Sequence, residues 1–267
     1  MNKFKSFLIS ILAFVYLLSP LAVSAANTHS LDLELGSGQY ASIADASQTG
    51  LDLTDAMTLE MWVKPESFPG ADNTFFVSKF VSGNDNACYQ FRYDTQGGGT
   101  KLYGTVVSNP VADEVNVDQA LSTGVWQHLA LTWAGGLTKV FKFYYNGVQV
   151  GGDKAGSLIS SINDCSAAFV VGARNAGLFY DGLIDEVRVW NVVRTAGEIL
   201  ANTSTELVGN ESGLVAYYKF NDSYLDETAN NNDLTATNSP VFSVDVPFVG
   251  AVAAAPIRRR PINSTEE

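Results

Sequence analysis

Short runs of alternating apolar and polar residues fill the chain from Leu31 to about Val246. Alternation with period two is typical of a half-buried β-strand, and these runs are rich in the β-branched and aromatic residues that strands favour. Clusters of Gly, Asn and Asp separate the runs, as expected of turns. The predicted strands include LDLEL, MTLEMWVKP, YQFRYD, KLYGTVV, WQHLALTWAG and GLIDEVRVW. The pattern therefore predicts an all-β chain.

Two local signals predict further elements. Asn146 and Gly147 stand between KVFKFYY and VQV, and both residues tolerate the positive φ that a tight hairpin turn requires. Thr195 stands three residues before Glu198, the spacing of a capping box, ahead of an apolar pair. Together with the number and spacing of the strands, these signals predict a two-sheet antiparallel β-sandwich, a jelly roll, with one short helix.

The start of the chain has the features of a secretory signal peptide. Lys3 and Lys5 precede an apolar run that ends in small residues at Ala25 and Ala26. We therefore predict that residues 1–25 are a cleaved signal peptide, although a single membrane helix is the alternative interpretation. On this prediction the mature chain has no membrane span, and the protein is secreted, extracellular or on the cell surface.

The predicted signal peptide is followed by one predicted domain, over residues 31–246, and then by a different kind of sequence. Residues 247–267 are rich in Ala and Pro and show no periodicity, so we predict a disordered tail or a linker there.

The charge balance excludes one class of partner. The chain has 16 Lys and Arg against 28 Asp and Glu, which gives a formal net charge of −12. Such a surface repels phosphate backbones, and no basic stripe compensates for it. We therefore expect no nucleic-acid binding.

The two cysteines of the chain are Cys88 and Cys165. An even count in an exported protein predicts a disulfide bond. Two buried thiols that never meet are the alternative, because the sequence does not give the distance between them.

Several stretches, in order along the chain, resemble the LamG-like jelly-roll family, part of the concanavalin A-like lectin and glucanase superfamily. The resemblance covers most of residues 31–246 and is most recognisable over residues 57–200. It implies a jelly-roll fold and a carbohydrate-binding or other recognition function. The stretches are MTLEMWVKP, WQHLALTW, FYYNGVQV, FVVGA, FYDGLIDEVRVWNVVRTAGEI and GLVAYYKFND.

Asp185 poses a question of charge burial. Strict alternation places it on the same side of its strand as Val187 and Val189, where an ionised carboxylate is costly unless it is paired, hydrogen-bonded or bound to a cation. The resemblance implies one structural Ca²⁺ ligated by Asp185, but Leu35 and Gln39 stand where acidic residues are common in the family. Hydrogen bonds from backbone N–H groups of the opening strand are the alternative.

Paired catalytic carboxylates are not indicated. Alternation puts Asp185 and Glu186 on opposite faces, where they cannot flank one glycosidic bond, and it predicts a surface ion pair between Glu186 and Arg188. The glucanase spacing E-x-D-x-x-E is missing from the chain. His128 falls at a packing position of the family, and no nucleophile partner is indicated for it. We therefore expect no enzymatic activity.

The remaining candidates for ligand binding are loop residues. The four tryptophans fall at predicted core or half-buried strand positions, so packing is the better interpretation for them. Loops on a rigid sandwich are the usual place for function. We predict a secreted, non-catalytic recognition module that binds a glycan or another extracellular surface. The alternatives are a structural or adhesive protein-binding domain and, ranked last, a divergent glycoside hydrolase. The predicted loop residues are Asn84, Asp85, Asn86, Tyr103, Arg174, Asn175 and Tyr180, with Asn109 and Asp113 as further candidates.

Overall fold

The computed structural model describes residues 26–68, 74–81, 86–95, 99–174 and 177–249. The predicted signal peptide and residues 250–267 lie outside these ranges, so both predictions about them stay predictions. The described ranges form fifteen strands and one α-helix: β1 (Ser30–Leu33), β2 (Tyr40–Ile43), β3 (Ala56–Pro65), β4 (Thr74–Phe80), β5 (Ala87–Asp94), β6 (Lys101–Ser108), β7 (Val111–Asp118), β8 (Gln127–Ala134), β9 (Val140–Tyr145), β10 (Val148–Ala155), β11 (Phe169–Val171), β12 (Gly182–Trp190), α1 (Ala196–Asn202), β13 (Leu214–Tyr218), β14 (Thr235–Thr237) and β15 (Val241–Ser243).

The strands form two antiparallel sheets. One has eight strands in the order β10-β9-β8-β3-β12-β1-β15, with β13 also paired to β12. The other has seven strands in the order β14-β2-β11-β4-β5-β6-β7. Because one face of each sheet carries the apolar set, the two faces pack together into one core, which confirms the predicted all-β sandwich.

Alternate residues of the central strands build this core. On β3 the inward residues Met57, Leu59, Met61 and Val63 are fully buried. Facing them are aromatic residues of the second sheet, such as Phe91. Each fully buried side chain of this kind stabilises the fold by about 1.5–3 kcal/mol relative to an exposed one.

Both local predictions are confirmed. Tyr145 pairs with Val148 across a turn in which Asn146 and Gly147 have φ of 48° and 78°. The helix α1 begins with a complete capping box, in which Thr195 N–H donates to a Glu198 carboxylate oxygen at 2.8 Å and Glu198 N–H donates to Thr195 Oγ1 at 3.3 Å. Within the described part of the chain, no helix is long and apolar enough to cross a membrane.

The predicted disulfide is confirmed. Cys88 on β5 is bonded to Cys165 in the segment before β11, with 5.9 Å between their Cα atoms. The buried ammonium group of Lys79 lies beside the bond and donates to Cys165 O at 2.5 Å. Intramolecular disulfides are typical of proteins that fold in an oxidising compartment.

The strand that carries Asp185 contains an irregularity in its pairing with β3. Asp185 pairs with Trp62 and Arg188 pairs with Glu60. One residue separates the two partners on β3, but two residues separate them on β12. This extra residue is a β-bulge.

The bulge overturns the predicted alternation along this strand. Glu186 adopts a left-handed φ of 53°, which takes up the extra residue. As a result Asp185 and Arg188 both point away from the core, while Val187 and Val189 point into it. The prediction that Asp185 shares a face with the two valines is therefore wrong.

Candidate functional site

Polar side chains form two rows across β5, β6 and β7 on the face of the seven-stranded sheet that is turned away from the core, which we call the outer face. In the first row Arg92 lies opposite Tyr103, and Tyr103 lies opposite Asn116. In the second row Gln90 lies opposite Thr105, and Thr105 lies opposite Glu114. The alternation of each strand produces the rows, because the intervening residues, such as Phe91, point into the core.

The guanidinium of Arg92 organises the first row. Its carbon lies 3.8 Å from the centre of the Tyr103 ring, within the range of a cation–π contact. Its nitrogens pair with Asp94 at 3.2 Å and with Glu114 at 3.1 Å. Because Arg92 is almost buried while Tyr103 is half-buried, the contacts fix the tyrosine ring in place and leave part of it open.

The second row is a short hydrogen-bond chain with one buried acceptor that has no donor in the described ranges. Gln90 Nε2 donates to Thr105 Oγ1 at 3.1 Å, and Thr105 Oγ1 donates to Glu114 Oε2 at 2.9 Å. Gln90 is 3% exposed, and its Oε1 has no hydrogen-bond partner among the described residues. A buried amide oxygen without a donor costs free energy, and because this oxygen is closed to solvent it does not form part of the surface that a ligand could contact.

Arg174 approaches the same face from the segment after β11. Its guanidinium carbon lies 4.8 Å from the centre of the Phe75 ring and 5.8 Å from that of Phe80. Burial lowers the pKa of Arg174, the positive charge of Arg92 lowers it further, and Glu114 opposes both effects. Phe75 pairs with Arg92 across β4 and β5, so Arg174 lies beside Arg92 on this face. We call Gln90, Arg92, Tyr103, Thr105, Glu114, Asn116 and Arg174 the outer-face site.

The structure thus brings together two of the predicted ligand residues, Tyr103 and Arg174. Tyr103 was predicted among loop residues, but it lies within β6. Asn86 is in a separate turn, where its Oδ1 accepts a hydrogen bond from Ser166 at 3.1 Å. Asn84, Asp85 and Asn175 lie outside the described residues.

Tyr180 is a correction to the predicted ligand residues. Its side chain is fully buried, its ring lies 5.8 Å from that of Phe76, and its hydroxyl donates to Leu183 O at 2.9 Å. The ring belongs to the core because the chain turns inward before β12, so it is not available to a ligand.

Asp113, another predicted candidate, is held by hydrogen bonds inside the fold. It is buried and accepts backbone N–H bonds from Ser157, Leu158 and Ile159 at 2.8–3.1 Å. Burial alone would raise the pKa of Asp113, but the bonds outweigh it and the pKa lies below its ordinary value. Asn109 is exposed, and its N–H donates to Asn163 Oδ1 at 2.6 Å.

On the opposite sheet, two hydrogen-bond donors hold Asp185. Asn27 Nδ2 donates to Oδ2 and the backbone N–H of Glu186 donates to Oδ1, both at 2.8 Å. Burial, followed by the charge of Glu186, raises the pKa of Asp185 well above its usual range. The donors differ from the predicted ones, because they are a side-chain amide and the bulged residue itself.

The surroundings of Asp185 offer few free oxygen atoms to a cation. Both Asp185 oxygens already face N–H groups, which do not coordinate a metal. The Oδ1 of Asn27, whose amide nitrogen donates to Asp185, is buried without a hydrogen-bond partner among the described residues. This oxygen therefore has no donor in the described part of the chain. Across the described ranges, no group of three or more His, Cys, Asp or Glu side chains is arranged to hold a metal. Calcium at Asp185 stays a prediction.

The predicted surface ion pair is in fact buried. Arg188 and Glu186 are each 1% exposed and lie 2.5 Å apart, and Tyr217 Oη also donates to the Glu186 carboxylate. The guanidinium of Arg188 donates in addition to Asn202 O at 2.8 Å and Thr205 O at 2.7 Å. The helix α1 and the residues after it, which we call the covering segment, lie over this face and remove the ion pair from solvent. Through its bonds to Asn202 O and Thr205 O, Arg188 also holds this segment against the sheet.

Two further titratable groups lie buried beside Arg188. Burial raises the pKa of Glu60, against the attraction of Arg188 and Arg194. Burial, with the charge of Arg188, lowers the pKa of His128 to about 3, so its imidazole is neutral. His128 Nε2 lies 3.7 Å from Glu60. These groups pack under α1, in agreement with the packing role predicted for His128.

Sequence reasoning missed Gln90, Arg92, Thr105, Glu114 and Asn116. Gln90, Arg92 and Thr105 lie at alternate polar positions of predicted strands, so part of the signal for a common face was present, whereas Glu114 and Asn116 lie on β7, which was not among the predicted strands. The pairing register of the strands, which brings these residues together, could not be obtained from the alternation.

Comparison with known proteins supports the fold. The chain is 24% identical to Pappalysin-1 of Homo sapiens over 170 residues. The matched region covers 57% of this chain and 10% of that protein. The chain therefore spans about a tenth of the length of this curated relative. The solved structure of a proposed carbohydrate-binding protein from Bacteroides ovatus superimposes with a TM-score of 0.61, at 23% identity, over 81% of this chain and 59% of that chain. At this identity the likeness shows a shared fold.

The family comparison agrees with the motifs. The model of the Laminin_G_3 family, described as Concanavalin A-like lectin/glucanases superfamily, matches residues 35–200. This range contains β2 to β12, and with them the central strands of both sheets and the outer-face site. The chain belongs to the laminin G-like family of the concanavalin A-like lectin and glucanase superfamily.

Proposed function

We propose that the protein is a non-catalytic carbohydrate-recognition module whose ligand binds at the outer-face site. The observation that carries the proposal is the ring of Tyr103, which is half-buried on the outer face and held against the Arg92 guanidinium within a fixed polar network. Sugars present hydroxyl groups and an apolar ring face, so an aromatic ring among ordered polar side chains matches both features.

The organisation of the site also supports binding. Arg92, Thr105 and Glu114 hold one another through ion pairs and hydrogen bonds, so the site is ordered before a ligand arrives. A site that is already ordered loses less conformational entropy on binding. The similarity in fold to the proposed carbohydrate-binding protein from Bacteroides ovatus is consistent with this proposal.

The carboxylates support a non-catalytic role. A retaining glycosidase needs two carboxyl groups that reach the same sugar from a shared cleft. The bulge weakens the argument that Asp185 and Glu186 point to opposite faces, but both are at most 1% exposed, so neither reaches a substrate. At the outer-face site Asp94 and Glu114 are both paired with Arg92.

Location outside the cytoplasm is part of the proposal. The disulfide between Cys88 and Cys165 and the features of residues 1–25 both support export. A secreted or surface-attached protein would meet the glycans that this site is proposed to bind.

A glycan array tests the proposal with three variants. The wild-type chain should give signal on a defined set of oligosaccharides. Tyr103→Ala should lose it, and Tyr103→Phe, which keeps the ring, should retain most of it. Tyr40→Ala is the matched control, because Tyr40 is a half-buried tyrosine on the same sheet, on β2 rather than β6. No signal for the folded wild type, or equal signal for Tyr103→Ala, would overturn the proposal.

A further inference from the structure

The two arginines of the outer-face site differ in how their charges are balanced. Arg92 pairs with Asp94 and Glu114. Arg174 lies against the rings of Phe75 and Phe80, and no carboxylate of the described residues is within ion-pair distance of it. The site therefore presents one guanidinium that forms no ion pair with a described residue, in a chain whose net charge is −12.

The surroundings of Arg174 prepare it to bind an anion. The two aromatic rings restrict the guanidinium, so it keeps its orientation at a lower entropic cost. Its side chain is half-buried, and Glu114 is near enough to oppose the lowering of its pKa without forming an ion pair. A planar guanidinium matches a carboxylate with two parallel hydrogen bonds.

The acidic chain limits which anions can approach. A densely charged polyanion would be repelled by the surrounding surface, whereas a single carboxylate can reach one unbalanced cation. The half-buried ring of Tyr103 would meet the sugar ring of the same ligand.

We propose that the outer-face site binds an oligosaccharide that carries a carboxylate, a sialic acid or a uronic acid, and that Arg174 pairs with this carboxylate. This inference rests on the proposed function and adds the class of ligand. A sialic acid and a uronic acid share the recognised group, so the experiment includes both.

The first test changes the ligand and leaves the protein unchanged. Isothermal titration of the wild-type chain would compare a sialylated trisaccharide and a trigalacturonate with their methyl esters and with neutral lactose. One of the two acids should bind at least tenfold more tightly than its ester, because the ester cannot form the charged pair. Densely sulfated heparin should bind more weakly than that acid.

The second test changes the protein. Arg174→Gln should weaken binding of the acid at least tenfold and leave binding of its ester unchanged, and Arg174→Lys should recover part of the loss. Arg194→Gln is the matched control. Arg194 also lies over an aromatic ring, that of Trp190 at 4.1 Å, but on the opposite sheet, so the same charge change there should not affect binding. Thermal unfolding would verify that each variant is folded.

The outcomes separate this inference from the proposed function. Equal affinity for acid and ester, unchanged in Arg174→Gln and lost in Tyr103→Ala, would overturn the carboxylate inference and leave sugar binding in place. Absence of binding to every sugar on the array, acidic or neutral, would overturn both. Loss of affinity for the acid in Arg194→Gln to the same extent as in Arg174→Gln would also overturn the role of Arg174.

Discussion

Replacement of Arg188 by methionine tests how the covering segment is fastened to the eight-stranded sheet. The side chain is 1% exposed and donates to Glu186, Asn202 O and Thr205 O. The variant leaves a buried carboxylate without its cation and two carbonyls without their donor. Loss of one partner of a buried ion pair costs about 3–5 kcal/mol.

This magnitude is large against the whole stability of a domain, which is about 5–15 kcal/mol. Urea unfolding followed by tryptophan fluorescence would measure it. Arg188→Met combined with Glu186→Gln should lose less than the sum of the single changes, because neutral glutamine removes the unpaired charge.

An exposed ion pair gives the control for this experiment. Lys142 and Asp153 lie 3.2 Å apart with side chains 34% and 56% exposed, so Lys142→Met should cost less than about 1 kcal/mol. A cost below 1 kcal/mol for Arg188→Met as well would refute the reasoning, because the buried network would then contribute no more than a surface pair.

Three further predictions concern stability. Changing Cys88 and Cys165 to serine should lower the free energy of unfolding by about 4.5 kcal/mol, the loop-entropy value for a separation of 77 residues, as measured by urea unfolding; a loss below 1 kcal/mol would contradict it. Asp113→Asn should cost about 1.5–3 kcal/mol at neutral pH, and the difference from wild type should shrink as the pH falls below about 4, because the folded pKa of Asp113 is lowered. In chelator, wild type should lose stability as the pH rises from about 4 through the raised pKa of Asp185, and Asp185→Asn should lose less, because only the raised pKa values of Glu60 and Glu186 then contribute at this face. Melting with added calcium tests the remaining calcium prediction: a rise in wild type that is absent in Asp185→Asn would support it, and no response in wild type would remove it.

The sequence predicted the strands well because alternation is a local property. The hairpin at Asn146 and the capping box at Thr195 were predicted for the same reason, since each depends on residues close together in the chain. The fold class followed from these local signals together with the resemblance to the family, and the disulfide followed from the even cysteine count in a chain with the features of an exported protein.

The errors share a physical origin, which is dependence on non-local packing. The bulge at Glu186 has no glycine to indicate its left-handed backbone, so the side chains of this strand were predicted to alternate without interruption. Burial of Arg188 depends on a segment that follows it in the chain, and burial of Tyr180 depends on the facing sheet. Only two of the seven residues of the outer-face site were predicted, because residues such as Gln90 and Thr105 meet through a strand register that their own sequences do not encode.

The most direct test of the account maps a bound sugar onto the two sheets. Amide chemical shifts of the labelled protein would be followed during titration with the oligosaccharide that gives the strongest array signal. The account predicts that the largest changes fall at Gln90, Tyr103, Thr105, Asn116 and Arg174. Changes confined to the opposite sheet, around Asn27, Asp185 and α1, or to turns far from β5 to β7, would contradict it.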